Sequence, residues 1–189
     1  FKYHASCYLT HSPIECGKEI RLKSNFPPER VKKITLRIQS GADKVCNIPN
    51  ATTGLEAKFS LRQTLAMALT GVDTANVDSY NEAVTQEPRI KALRDKMAIE
   101  FQDGWTKSLA EVSIQLEDGT TLEAKHDSGI PWADVAKQRR ALEAKFESLV
   151  APGLGAAGTK RLHDAIERSL PGRRAPLALP GRRGRCGRG

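Results

Sequence analysis

The 189-residue chain predicts an α+β fold with antiparallel strands and packed helices, followed by a helical segment. Three observations carry this. Residues 31–39 alternate apolar and polar side chains, residues 110–124 repeat that alternation on both sides of Asp118-Gly119, and helical patterns fill the intervals without the strand–helix–strand order of a parallel sheet. At 39% hydrophobic residues the chain can bury a core, and its length fits one domain or one domain with an appendage.

In chain order, the first helix is expected to open at Ser12, with Pro13 in its first turn and Glu15 completing a capping box. In residues 31–39, Ile34, Leu36 and Ile38 share one face and Thr35, Arg37 and Gln39 the other, the pattern of a half-buried strand. Asn, Pro and Gly make residues 47–54 a loop. FSLRQTLAMALTG, residues 59–71, reads as a helix with Ser60 near its start and Gly71 as its stop; apolar around most of its circumference, it belongs in the interior. Two short helices are expected at 79–84 and 88–96, the second opening on Pro88. In the hairpin, Ala110, Val112, Ile114 and Leu116 alternate with polar residues, Asp118-Gly119 turns the chain, and Leu122 and Ala124 resume the pattern. From Trp132 onward Val135, Leu142, Phe146 and Leu149 form a helical stripe. APGLGAAG at 151–158 is expected to break that helix, and residues 159–170 form a last one with Leu162, Ala165 and Ile166 as its apolar face. Residues 171–189 are mostly Gly, Pro, Arg, Ala and Leu without periodicity and are expected to be disordered.

The formal charge of +8 suggests a nucleic-acid partner only until it is located. Arg173, Arg174, Arg182, Arg183, Arg185 and Arg188 lie in the last stretch, with no acidic residue after Glu167, which leaves residues 1–170 near +2. No stretch approaches the roughly 20 apolar residues of a membrane span, and the N-terminus lacks the regions of a signal peptide, so a cytoplasmic protein without a membrane partner is expected. Cys7, Cys16, Cys46 and Cys186 form no CxxC pair and read as free thiols in a reducing compartment. The spacing of His4, Cys7 and His11 fits no standard metal pattern.

Residues 1–20, FKYHASCYLTHSPIECGKEI, concentrate two lysines, two histidines and two cysteines around a helix start, where a polar loop on a rigid scaffold can present groups to a cleft. The spacing K-x4-C-x3-H at Lys2, Cys7 and His11, the segment TGLEAKFSL at residues 53–61, and the later run of short helix, hairpin and charged helix resemble the MmgE/PrpD family over residues 1–170. That family contains 2-methylcitrate dehydratases, cis-aconitate decarboxylases and iminodisuccinate epimerases. The resemblance implies a lid-type α+β domain at 1–127, a returning helical segment at 128–170 belonging to an otherwise missing all-helical domain, and a basic tail at 171–189. Phe1 falls within the family's motif, so the chain is expected to be a C-terminal fragment, inactive alone, whose active site lies between the lid and the absent domain. It also implies a homodimer, a small polycarboxylate substrate, and no metal or organic cofactor.

Carried over by position, Lys2 matches a lysine bordering the active site and His11 the histidine ending the motif. Cys7 stands where decarboxylases have histidine and dehydratase-like members commonly have cysteine; Gln63 stands where many members have tyrosine, FSLPY reading FSLRQ here. The resemblance thus implies a lyase, a 2-methylcitrate dehydratase-like hydro-lyase of propionate catabolism, with a sibling epimerase or decarboxylase left open. Lys2 suits carboxylate binding and stabilisation of aci-carboxylate charge, and His11 an acid, a base or a positioner. Cys7 lines the pocket, since nothing near it in sequence marks an activating base. Gln63 either contacts substrate through its amide or satisfies a buried polar group. His4, His126, His163 and Lys58 are weaker candidates with structural roles. From a different class stands a noncatalytic α+β interaction domain whose basic tail binds an acidic partner or nucleic acid.

Overall fold

Alternation in residues 31–39 produces β1 (Val31–Gln39), with Val31, Ile34, Leu36 and Ile38 buried. It is the second strand of a four-stranded sheet in the computed structural model, which describes residues 1–24 and 26–169. The order is β2-β1-β3-β4, where β2 is Met97–Gln102, β3 Leu109–Leu116 and β4 Thr121–Asp127. Register explains the core: Ile34, Leu36 and Ile38 stand opposite Met97, Ile99 and Phe101 on one side and Ile114, Val112 and Ala110 on the other. Leu122 and Ala124 extend the same rows on β4. Because side chains alternate with period two, these rows share one face.

Helices cover that face. His11–Lys23 forms α1 against β3 and β4, Leu61–Thr70 forms α4 against α1, and Pro88–Asp95 forms α6 against α4. The shorter α2 (Asp43–Cys46), α3 (Gly54–Ala57) and α5 (Glu82–Gln86) fill the connections. Gly17 allows α1 and α4 to approach closely, since a Cβ there would lie 2.8 Å from Leu65 Cδ1 and 3.0 Å from Ala68 Cβ. As the sequence indicates, Ser60 caps α4 by accepting from the Gln63 N–H, Gly71 ends it in left-handed conformation, and residues 61–69 are buried except Arg62.

The expected antiparallel strands are present in the β1–β3 and β3–β4 pairs, and β2, not anticipated, pairs parallel to β1, so the sheet is mixed. One expectation needs correction. No capping box forms at Ser12, because a 3₁₀ turn at Tyr8–Thr10 runs directly into α1, places Thr10 at the N-cap position and leaves Ser12 inside the first turn. Its hydroxyl instead donates to the Ser108 carbonyl and pairs with Ser128 Oγ at 2.7 Å. The capping box occurs at Thr53 and Glu56, in front of α3. The break expected at 151–158 falls at Gly155 (φ 63°, ψ 169°), a kink between two helices that together make up α7 (Val135–Ser169), with Pro152 inside the first of them.

The chain divides into two compact units, Phe1–Leu149 and Val150–Gly189. In the second, Thr159 Oγ1 donates to the Gly155 carbonyl at 2.9 Å, which steadies the turn after the interruption. Among the described residues no helix is long and apolar enough to cross a membrane. The arginine-rich stretch expected to be disordered lies outside the described residues.

Candidate functional site

The segment before α1 is tied down along its length. Ala5 N–H donates to the Thr74 carbonyl and Cys7 N–H to the Lys58 carbonyl, each at 2.9 Å, which fastens the loop to the chain on either side of α4. Thr10 Oγ1 then donates to the Cys7 carbonyl at 2.8 Å and closes the 3₁₀ turn. A loop held this way presents its side chains in fixed positions.

His4, only 2% exposed, has both ring nitrogens engaged: Nε2 lies 2.8 Å from Glu15 Oε1, and Nδ1 lies 2.8 Å from Thr74 Oγ1. A carboxylate only accepts, so Nε2 carries the proton, and Nδ1 of the neutral ring accepts from the Thr74 hydroxyl. Burial lowers the His4 pKa against the opposing pull of Glu15, which favours that neutral form. Burial also works against the Glu15 charge, but the hydrogen bond from His4 and the Lys18 ammonium outweigh it and hold the carboxyl at about 2.

His11 packs edge-on against His4, ring centroids 4.9 Å apart, and beside Tyr8 at 5.3 Å. It is 1% exposed, and its Nε2 has no hydrogen-bond partner. Burial, followed by the fields of His4, Lys2 and Lys145, pushes its pKa down to about 3, so the ring is neutral at physiological pH. The two histidines, Tyr3, Tyr8, Glu15 and Trp132 border a cavity of about 340 Å³. Its wall is braced by stacking of Tyr3 on Trp132 at 4.7 Å, by Gln138 Nε2 donating to Tyr3 Oη at 2.7 Å, and by Tyr8 Oη donating to the Ser128 carbonyl at 2.9 Å. That volume suits a small ligand. Among the described residues no cluster of three or more metal-binding side chains is assembled.

Of the residues singled out in the sequence, Lys2, Cys7 and His11 share the anchored segment. Lys2 is exposed and its carbonyl accepts from Lys145 Nζ; Cys7 is half-buried; His11 faces the cavity. Gln63 is placed differently. It is fully buried in the first turn of α4, where its Oε1 accepts from Arg94 Nη1 at 3.0 Å. The sequence reading missed Glu15 as the partner of His4, and Thr74 and Arg94 altogether. Glu15 reads locally as a helix-capping residue, whereas Thr74 and Arg94 lie 70 and 31 positions from their partners and leave no local signal.

A family model for the MmgE/PrpD C-terminal domain matches residues 4–169, which takes in Cys7, His11 and Gln63 and stops two positions short of Lys2. No curated protein matches the chain. With the match running through both the anchored segment and the sheet beneath it, the chain belongs to the MmgE/PrpD family through that C-terminal domain.

Proposed function

We propose that this chain forms one wall of the active site of a lyase or isomerase acting on small polycarboxylates, a hydro-lyase of the 2-methylcitrate dehydratase type that needs no metal or organic cofactor. Residues 1–127 serve as its lid, residues 128–170 belong to the returning helices, and the working form is a cytoplasmic homodimer completed by the family's helical domain. The observation that carries this reading is the unpartnered Nε2 of buried His11 beside a cavity of ligand size, on the same segment as Lys2.

The electrostatics agree with an anionic substrate. Lys2 and Lys145 both disfavour a proton on His11, and the positive potential responsible for that favours a carboxylate at the same place. Lys2 pairs with a substrate carboxylate and stabilises the aci-carboxylate that forms when the α-proton leaves. His11, neutral and resistant to protonation, serves better as a hydrogen-bonding group at a substrate oxygen than as the site that stores the abstracted proton. Cys7, half-buried, contributes to the pocket surface.

The test is an assay of the chain, alone and joined to a family helical domain, against 2-methylcitrate, cis-aconitate and iminodisuccinate. Turnover of 2-methylcitrate by the joined protein, lost in Lys2→Ala with the fold intact, is expected. Turnover of none of the three would sink the reading, and wild-type kinetics for Lys2→Ala would remove Lys2 from the site.

A further inference from the structure

Cys7 and Cys46 are far apart in sequence, but both are anchored to the same short turn at residues 58–60. On one side, Cys7 N–H donates to the Lys58 carbonyl at 2.9 Å. On the other, Cys46 ends α2 and the residue after it, Asn47, forms an antiparallel bridge with Ser60. Two further bonds hold that bridge, from Ile48 N–H to the Phe59 carbonyl at 3.4 Å and from the Ser60 hydroxyl to the Ile48 carbonyl at 2.6 Å. The turn thus brings the two side chains together: Cys46 lies in the buried core and Cys7 packs against that core. Burial first, and then the charge and hydrogen bond of the Cys7 thiol beside it, push the Cys46 thiol up to about 12.

The two sulfurs differ in access. Cys7 is half-buried, so a small reagent reaches it, whereas Cys46 is fully buried and its Sγ donates to the Ala42 carbonyl at 3.6 Å. Cys16 supplies a comparison inside the same molecule. It too is fully buried, with Sγ donating to the Ala110 carbonyl at 3.6 Å, but the groups that act on it are Glu19, His126, Glu15 and Glu111, with no thiol among them. A reachable thiol in contact with a protected one is the arrangement in which oxidation of the first is captured by the second.

We propose that Cys7 and Cys46 form a redox modification site, in which a small hydroperoxide oxidises Cys7 and Cys46 resolves it as an intramolecular disulfide. The Cys7 thiolate attacks one peroxide oxygen, so that an S–O bond forms, the O–O bond breaks and hydroxide leaves. Cys46 then gives up its proton, its sulfur attacks the Cys7 sulfur, and the sulfenic hydroxyl leaves as water. Two thiols and one hydrogen peroxide give one disulfide and two waters; the sulfurs lose two electrons and the peroxide gains them. The high pKa of Cys46 slows its ionisation but makes its thiolate the stronger nucleophile. The bridge fastens the segment that carries Lys2 and His11 to α2. This site is independent of the reading of the His11 cavity.

The test is treatment of the reduced 189-residue chain with hydrogen peroxide at pH 8, followed by blocking of the remaining thiols, tryptic digestion without reductant and mass spectrometry. Peptide 3–18 is expected to be joined to peptide 45–58, with fragmentation placing the bridge at Cys7 rather than Cys16. In the native chain this pairing should exceed every other cysteine pairing by about 10-fold, and in concentrated guanidinium that preference should disappear. Cys46→Ala should lose the bridge and raise the yield of Cys7 sulfenic acid trapped by dimedone by about 10-fold. Should Cys46→Ala fail to fold, the comparison of native and denatured wild type decides alone. Absence of the 7–46 bridge in the native chain overturns the proposal, as does the same preference in guanidinium. An unchanged dimedone yield in folded Cys46→Ala overturns it as well.

Discussion

His4 and His11 stand at the two ends of one anchored loop, equally buried and in edge-to-face contact, yet their surroundings differ in kind. Around His4 every polar group is matched, with Glu15 on one nitrogen and Thr74 on the other. Around His11 the Nε2 has nothing to bond, and the ring lines a cavity. Burial and a depressed pKa are therefore poor guides to function by themselves, since both rings have them. The distinguishing property is hydrogen-bonding capacity left unused in a ring that lines a cavity. His4 has none to offer and acts as a rivet between the loop, α1 and the segment after α4.

The largest test of this contrast removes the rivet. His4→Leu nearly preserves volume but leaves the Glu15 carboxylate without its strongest partner and the buried Thr74 hydroxyl without any. It should destabilise the chain by about 3 kcal/mol, measured by denaturant unfolding at pH 8. A loss below about 1 kcal/mol would mean that the matched cluster contributes little and that the contrast is one of geometry only.

Next in size is the pH response. His11 has a folded pKa of about 3 against an ordinary 6.5, so the unfolded chain takes up the proton first as pH falls. Its contribution is fully present above 6.5 and is lost progressively towards 3, at up to about 1.4 kcal/mol per pH unit. His4 is shifted in the same direction and adds to this slope, whereas Glu15, held at about 2 against 4.5, adds only below 4.5. Between pH 6 and 5, His11→Leu should therefore flatten the dependence of unfolding free energy on pH by about one proton. An unchanged slope would show that His11 titrates normally and is open to water.

A smaller change sharpens the His4 side. Glu15→Gln keeps an acceptor for His4 Nε2–H and removes only the charge, so the cost should be about 1 kcal/mol at pH 7. A cost equal to that of His4→Leu would mean that the charge, rather than the hydrogen bond, holds the loop.

How far the sequence announces such features depends on chain distance. The interior helix α4 is legible because its cap, stop and apolar circumference all lie within 59–71, and the hairpin because Asp118-Gly119 sits between two alternating runs. Strand β2 was equally local in pattern, with Met97, Ile99 and Phe101 alternating, but it is short, and its pairing with β1 joins residues about 60 positions apart. At Ser12 a correct local signal was overridden by the 3₁₀ turn before it and by Ser108 and Ser128 across the fold. At 151–158 the break is legible because Gly155 takes a positive φ that ends one helix, and the next starts after it. For the site, the motif revealed which segment to watch, and Lys2, Cys7 and His11 do share it. Whether the His4 ring and the Gln63 amide are satisfied depends on Thr74 and Arg94, which no spacing within the motif encodes.

The smallest expected stability change is also the most decisive for the proposed role. His11→Leu removes a buried nitrogen that has no partner, so at pH 8 the lost ring contacts and the relieved unpaired group should nearly cancel, leaving stability within about 0.5 kcal/mol of wild type. If Nε2 bonds to a substrate oxygen in the complete enzyme, the same substitution should lower kcat/KM for the polycarboxylate by about 100-fold. His11→Gln, whose amide nitrogen can approach the position of Nε2, should recover part of that loss. A structural histidine would give the opposite pattern, with stability falling, turnover following only the folded fraction, and no rescue by glutamine. The contrast between the two histidines therefore stands or falls on whether the one that matters least to folding matters most to turnover.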